Sequence, residues 1–234
     1  MSSPRPELLV APCSYQAAKY AVEKWHYSRS MPVGKTFKIG VWEAQDYTGV
    51  IIFSLGANKS IGCPYGLVQT EVCELTRVAV KTHARPVSEM LSHAIILLKQ
   101  NNPGLRLIVS YADANQGHTG VIYQATNWFY TGEIESDLGQ MINGEIFHRR
   151  TVFTRYGRQD MDFLRRIDPQ AHYVRGKPKH KYLYPLDRAM RRQIAPLAQP
   201  YPKKDTRPVN GDTLATREAG RFDSEPGALV DSHD

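Results

Sequence analysis

The stretch SYADANQGHTGVIYQATNWFYTG, residues 110–132, holds the side chains best suited to chemistry. Asp113 closes an apolar run, LRLIVSYAD (105–113), that reads as a buried strand. A carboxylate there can cap a following helix, or stand beside a cleft and accept a proton. The helix in prospect opens near His118, five residues on, and Asn115 or Thr119 is better spaced to cap it. The catalytic reading is therefore preferred. Tyr123 follows on the helix-like segment, with a half-buried core tyrosine as the bland alternative. Ser110 has no GxSxG elbow around it and is no nucleophile, but it can hydrogen-bond a cofactor. His26 and Tyr27 end an earlier helix, and a lone histidine there is more often structural than functional. No HxxxH, HxD or cysteine cluster marks a metal site.

These residues need elements to hold them. SYQAAKYAVEKWHY (14–27) has helical spacing, with Ser14 as its cap. TFKIGVWEA (36–44) and GVIIFSLGA (49–57) are rich in β-branched and aromatic residues, and a turn at Gln45–Tyr47 makes them a hairpin. VCELTRVAV (72–80) alternates as a strand, with Leu75 and Arg77 expected on one face. SEMLSHAIILLKQN (88–101) is a helix capped by Ser88 and stopped before Pro103. Beyond LRLIVSYAD come a short helix at 119–128, a strand at 129–134 and a further strand at 144–156. Trp25, Trp42 and Trp128 belong to the core on this reading. From Pro196 onward Pro, Gly and charge dominate without periodicity, so a single domain over 1–195 is followed by a disordered tail, 196–234.

Charge narrows the partner. The net charge of +7 is uneven. Residues 1–144 hold 12 Lys/Arg against 11 Asp/Glu, residues 145–192 hold 13 against 5, and the remainder hold 5 against 7. A basic zone interleaved with Phe147, Phe153, Tyr156, Tyr173, Tyr182 and Tyr184 suits nucleic acid better than a merely solubilising surface. Arg149, Arg150, Arg155, Arg158, Arg175, Lys177, Lys179 and Lys181 are its candidate DNA contacts. Apolar runs such as VIIFSL (50–55) are too short to cross a bilayer, and no membrane partner is expected. The N-terminus has no secretory pattern, and the three cysteines include no CxxC pair. A reduced, cytoplasmic compartment is the simplest expectation.

Element order and motifs together resemble the phage Mu Mom family of DNA modification proteins. The resemblance runs from about Tyr15 to Tyr156 and is carried by HYS (26–28), ELTRVAV (74–80), LIVSYAD (107–113), GHTGVIYQATNWFYTG (117–132) and FHRRT (147–151). It implies an α/β fold like that of the GCN5-related N-acetyltransferases: a mixed, mostly antiparallel twisted sheet flanked by helices. The strands at 72–80 and 105–113 would splay around an acyl-CoA, such as acetyl-CoA. Asp113 would belong to the active site, Tyr123 would protonate the departing thiolate, and His26 and Tyr27 would form the family's HY pair. That pair is associated with a bound iron, whose first candidate ligands are His26 and Asp113.

For the cofactor, the turn after 72–80 offers a helix N-terminus beside Lys81 and Arg85, and Arg77 lies on the cleft strand. Arg77 can meet a phosphate there, or pair with Glu74 or Glu71. The turn, KTHARPVSE, has none of the spaced glycines expected of an acetyltransferase. The implied activity adds a carbamoylmethyl-type group to adenine N6 in duplex DNA and protects phage DNA from restriction. Two alternatives stay open: an acetyl-CoA-dependent N-acetyltransferase acting on a protein or small amine, and a non-catalytic DNA-binding protein on the same fold. Oligomeric state is open too, a homodimer among the options.

Overall fold

A computed structural model describes residues 5–56, 58–136 and 138–203, with the side chain of Arg150 also left aside. Strand β1 (Leu8–Pro12) leads into helix α1 (Tyr15–Trp25), and the hairpin β2 (Thr36–Glu43) and β3 (Asp46–Ser54) follows. Next come β4 (Val72–Val80), α2 (Val87–Asn101), β5 (Leu107–Asp113), α3 (Val121–Gln124) and β6 (Phe129–Ile134). A separate group then forms, made of β7 (Leu138–Ile142), β8 (Glu145–His148), α4 (Arg149–Tyr156), α5 (Met161–Ile167) and β9 (His172–Arg175). Strand β10 (Lys179–Pro185) and α6 (Arg188–Ile194) complete the elements named here.

Seven strands form one sheet in the order β1-β2-β3-β4-β5-β10-β6. All its pairings are antiparallel except β4 with β5. This is the mixed, mostly antiparallel α/β architecture that the sequence implies. Helix α2 packs one face through Met90, Leu91, Ala94 and Leu98, a helical repeat of fully apolar side chains. Burying each large one is worth about 1.5–3 kcal/mol. Helix α1 covers the other face at Val50, Ile52 and Ala79, and α6 covers it at Val72, Leu107, Val109 and Leu183.

The pairing of β4 with β5 is short. It joins Val72–Leu75 to Leu107–Ser110 and then stops. A β-bulge at Thr76 breaks the β3–β4 register at the same level. Cys73 and Leu75 pack in the α2-side core before the bulge, whereas Val78 and Val80 do so after it. The expected sharing of one face by Leu75 and Arg77 is therefore wrong, because one extra residue reverses the alternation. Beyond Ser110, β5 keeps its pairing with β10 while β4 stays with β3, and the two diverge.

Other expectations change in detail. Ser14 caps α1 by accepting from Ala17 N, as anticipated. Helix α2 starts one residue earlier than expected, with Pro86 at the cap position, so Ser88 caps nothing. The expected helix at 119–128 shrinks to one turn, Val121–Gln124. The segment 144–156 is a strand only as far as His148 and a helix thereafter. Val152 explains the switch: it is fully buried with Ile142 and Leu164 in a small core belonging to the separate group. Residues 195–203 pack onto β6, with Gln199 N donating to Tyr130 O at 2.8 Å and Tyr201 Oη to Trp128 O at 2.8 Å. The expected tail is ordered that far, and its remainder lies outside the described residues.

Candidate active site

Where β4 and β5 part, a cleft of about 610 Å³ opens. Trp25, His26 and Tyr27 form one wall, and Thr76–Val78 with Val80 and Val87 form the β4 side. Tyr111–Asp113 and residues 117–123 close it opposite. Two glycines shape that last segment. Gly120 sits at φ +80, and a Cβ there would meet the Tyr182 ring at 2.4 Å. The tyrosine hydroxyl uses this closeness to donate to Thr119 O at 2.6 Å.

Tyr123 is nearly buried, 7% exposed, and lies against Trp128 and Tyr182. It is a core tyrosine that also lines the cleft. Ser110 Oγ lies 2.9 Å from the Leu75 carbonyl and 2.8 Å from Tyr123 Oη. A serine hydroxyl has one proton and a carbonyl only accepts, so Ser110 donates to Leu75 and the phenol donates to Ser110. Burial pushes the Tyr123 phenol up to about 12. It is a proton donor at neutral pH. Ser110 is fully buried among these partners, so it positions Tyr123 and does not itself face a cofactor.

Asp113 caps a turn and also lines the cleft. Its Oδ1 accepts from Asn115 N at 2.9 Å and Asn115 Nδ2 at 3.0 Å, capping the short 3-10 turn Ala114–Gln116. The same carboxylate lines the cleft. The element it caps is this tight turn, which intervenes before α3, and not the helix expected near His118. Asn115 also accepts from Lys177 N at 2.9 Å, and Gly176 approaches it so closely that a Cβ would meet Nδ2 at 2.9 Å. The return from β9 to β10 therefore braces the turn that holds Asp113.

His26 is 8% exposed and stacks on Tyr27 with centroids 4.3 Å apart. Its Nδ1 accepts from Ser28 N at 3.1 Å and lies 2.8 Å from Ser28 Oγ. Burial, then the Arg77 guanidinium and His118, hold the imidazole down at about 4. The ring is neutral at pH 7, with its proton on Nε2 because Nδ1 is an acceptor. Tyr27, 52% exposed, stands at the cleft mouth with its ring edge-on to His118 at 5.9 Å. His118 was passed over in the sequence; its only signal is its place between two glycines, Gly117 and Gly120, both in the left-handed region.

Arg77 lines the cleft but uses its guanidinium as a strap, donating to Ser30 O at 3.1 Å and Thr76 O at 2.7 Å. Lys81 and Arg85 are not among the residues lining the cleft. Lys81 Nζ sits over the Trp25 ring, and Arg85 is ion-paired with Glu89. The implied iron does not fit this donor set. His26 has Nδ1 engaged and Nε2 protonated, and no three His, Cys, Asp or Glu gather among the described residues.

The proposed DNA contacts spread across the separate group and β10. Arg149 and Arg155 are exposed on α4, with Arg155 also over the rings of Phe147 and Tyr156. Arg158 pairs with Asp160, Arg175 pairs with Glu135, and Lys181 lies over Tyr65. Lys179 stands opposite Asp113 in the β5–β10 register, beside the cleft. Of Arg150 only the backbone, in α4, is described. No helix among the described residues is long and apolar enough to cross a membrane.

The cleft in this mixed sheet is thus lined by a carboxylate, a protonated phenol and a neutral imidazole. The chain belongs to the Mom protein family, whose model matches residues 7–203. It is 27% identical over 206 residues to the methylcarbamoylase Mom of Escherichia phage Mu, covering 84% of each chain. Solved acetyltransferases resemble it more loosely. Spermidine N-acetyltransferase of Vibrio cholerae matches with a TM-score of 0.47 at 10% identity, covering 79% of this chain and 97% of its own. The ribosomal-protein-S18-alanine N-acetyltransferase of Escherichia coli matches at 0.43 and 9%, covering 77% and 95%. The architecture rests on the strand pairing itself.

Proposed function

We propose that this protein is a DNA modification enzyme that places a carbamoylmethyl-type group on adenine N6 in duplex DNA, shielding phage DNA from restriction. The observation that carries the reading is that Asp113 and Tyr123 line one cleft, opened where β4 and β5 part, in a chain of this family. Adenine N6 is a weak nucleophile, since its lone pair is delocalised into the ring. Asp113 takes the proton that N6 loses as it bonds to the donor's carbon. Tyr123 gives its proton to the departing group, and the imidazole of His26 with Tyr27 shapes the mouth. A carbamoylmethyl product joins N6 to a methylene carbon, whereas direct acyl transfer would leave an amide.

Double-stranded DNA is the partner this reading requires, and the excess of 13 Lys/Arg over 5 Asp/Glu in residues 145–192 supports it. An acyl-CoA is the cofactor that the resemblance implies. Its thioester alone would deliver an amide, so the reading requires a donor whose methylene carbon carries the departing group, the bond between them breaking as N6 attaches. The valine-rich β4 wall suits a slender thioester arm, while Lys81 and Arg85 are spent elsewhere. The deciding experiment is mass spectrometry of DNA from cells expressing the protein. A modified deoxyadenosine upholds the reading. Unmodified DNA alongside acetylated protein or polyamine would replace it with a conventional N-acetyltransferase.

A further inference from the structure

The link from β4 to α2 is where an acetyltransferase-like fold would seat the diphosphate of coenzyme A, on backbone N–H groups at a helix N-terminus. Here a carboxylate of the same chain already accepts from two N–H groups of that link. Glu43, the last residue of β2, accepts from Ala84 N through Oε2 at 2.9 Å and from Arg85 N through Oε1 at 2.7 Å. Its side chain is buried, at 9% exposure. Both oxygens are used, and both N–H groups are satisfied from within. The next residue, Pro86, has no N–H to offer. Of the cations on the turn, Arg85 is committed to Glu89, while Lys81 is exposed with its ammonium 6.0 Å from the Trp25 ring centroid. Beside this link, the cleft is lined by Val78 and Val80 of β4 and Val87 of α2.

We infer that the donor used at this cleft is held without a diphosphate at the β4–α2 turn, because Glu43 fills the anion cradle that a nucleotide-bearing cofactor would need. A diphosphate brought there would displace two charge-assisted hydrogen bonds and meet a like charge, with Arg85 already held by Glu89. The chemistry left to the site is that of a donor with an uncharged, largely apolar arm lying along the valines. The inference rests on the reading of the cleft as a group-transfer site.

The test is calorimetric titration of the full-length protein with coenzyme A and, separately, with pantetheine, which keeps the arm and lacks the nucleotide. A diphosphate gripped by several charge-assisted bonds would make coenzyme A bind about a hundredfold more tightly. The expected result is a ratio within about threefold, or no detectable binding of coenzyme A at all. Either upholds the inference, and a hundredfold preference for coenzyme A overturns it. Glu43→Gln keeps the size and removes the charge, so it should raise the preference for coenzyme A by about tenfold. An unchanged ratio in a folded variant would mean that Glu43 does not exclude the diphosphate, and would overturn the assignment. Failure of the DNA-modification reading would appear in the DNA mass spectrum and leave these ratios untouched.

Discussion

Tyr123→Phe separates chemistry from packing. The substitution keeps the ring that contacts Trp128 at 5.0 Å and Tyr182 at 4.9 Å, and deletes only the hydroxyl. What is lost from the fold is one buried hydrogen bond, from the phenol to Ser110 Oγ. Ser110 keeps its 2.9 Å bond to the Leu75 carbonyl, so no donor is stranded. The structural cost should be about 1 kcal/mol, the net worth of such a bond. In a domain of this size that is a fall of about 2–4 °C in the melting midpoint. A proton donor at the reacting group contributes about a hundredfold to ten-thousandfold in rate. The variant should therefore melt almost like the wild type and modify DNA at least about a hundredfold more slowly. Ser110→Ala makes the contrast, since it strands both the Leu75 carbonyl and the phenol at about 1–3 kcal/mol each. The assay is thermal unfolding of each variant alongside mass spectrometry of DNA after timed expression. A Tyr123→Phe enzyme that modifies DNA within about threefold of wild type would refute the acid role and return Tyr123 to the core, because a hundredfold term could not hide in that margin.

Asp113→Asn retains an oxygen for the Asn115 cap, so stability should stay close to wild type while modification falls at least about a hundredfold; more than a tenth of the wild-type rate would make Asp113 a cap alone. Neutralising Arg175, Lys177 and Lys179 together should flatten the salt slope of log K for duplex DNA by up to about 2–3 units, at about 0.9 per phosphate contact. It should weaken all sequences alike, and an unchanged slope would move the DNA face elsewhere. His26 provides a pH signature. Its folded value is depressed to about 4, so the unfolded chain binds a proton first as pH falls below about 6.5. Its contribution is complete above that pH and is lost towards pH 4, up to about 3 kcal/mol. Urea unfolding of the wild type and His26→Asn across that window should show a steeper loss in the wild type, and parallel curves would contradict the assignment.

Much of the fold was legible because its signals are local. The β-branched runs at 36–54, 72–80 and 105–113 are strands in the structure, and Ser14 caps the helix it precedes. The failures come from contacts between distant residues. RRTVFTRY has strand-like composition, yet burial of Val152 against Ile142 and Leu164 makes it a helix. The bulge at Thr76 reverses the alternation that placed Arg77, and no local pattern announces it. At the site, Asp113, Tyr123, His26, Tyr27 and Arg77 do gather around one cleft, as their motifs suggested. Lys81 and Arg85 do not, because their partners are an aromatic ring and a carboxylate on other segments. Glu43 was unreadable for the same reason: it meets Ala84 from 41 positions away.

The chain that follows α6 lies along β6, an edge strand of the seven-stranded sheet. Gln199 N meets the Tyr130 carbonyl, its side-chain amide reaches Thr131 O, and Tyr201 reaches Trp128 O. Carbonyls on an open edge are a template for another chain's strand, so this strip serves as a guard against self-association. Shortening the protein should then have two outcomes, depending on where the cut falls. A chain ended at Lys203 keeps the guard and should stay as soluble as the whole. One ended at Ala195 bares the edge, and light scattering should find it forming aggregates at concentrations where the longer form does not. Equal behaviour of the two would mean that β6 is protected by its own twist. Any expression of this protein for the experiments above should carry the residues through Lys203, whatever is done to those beyond.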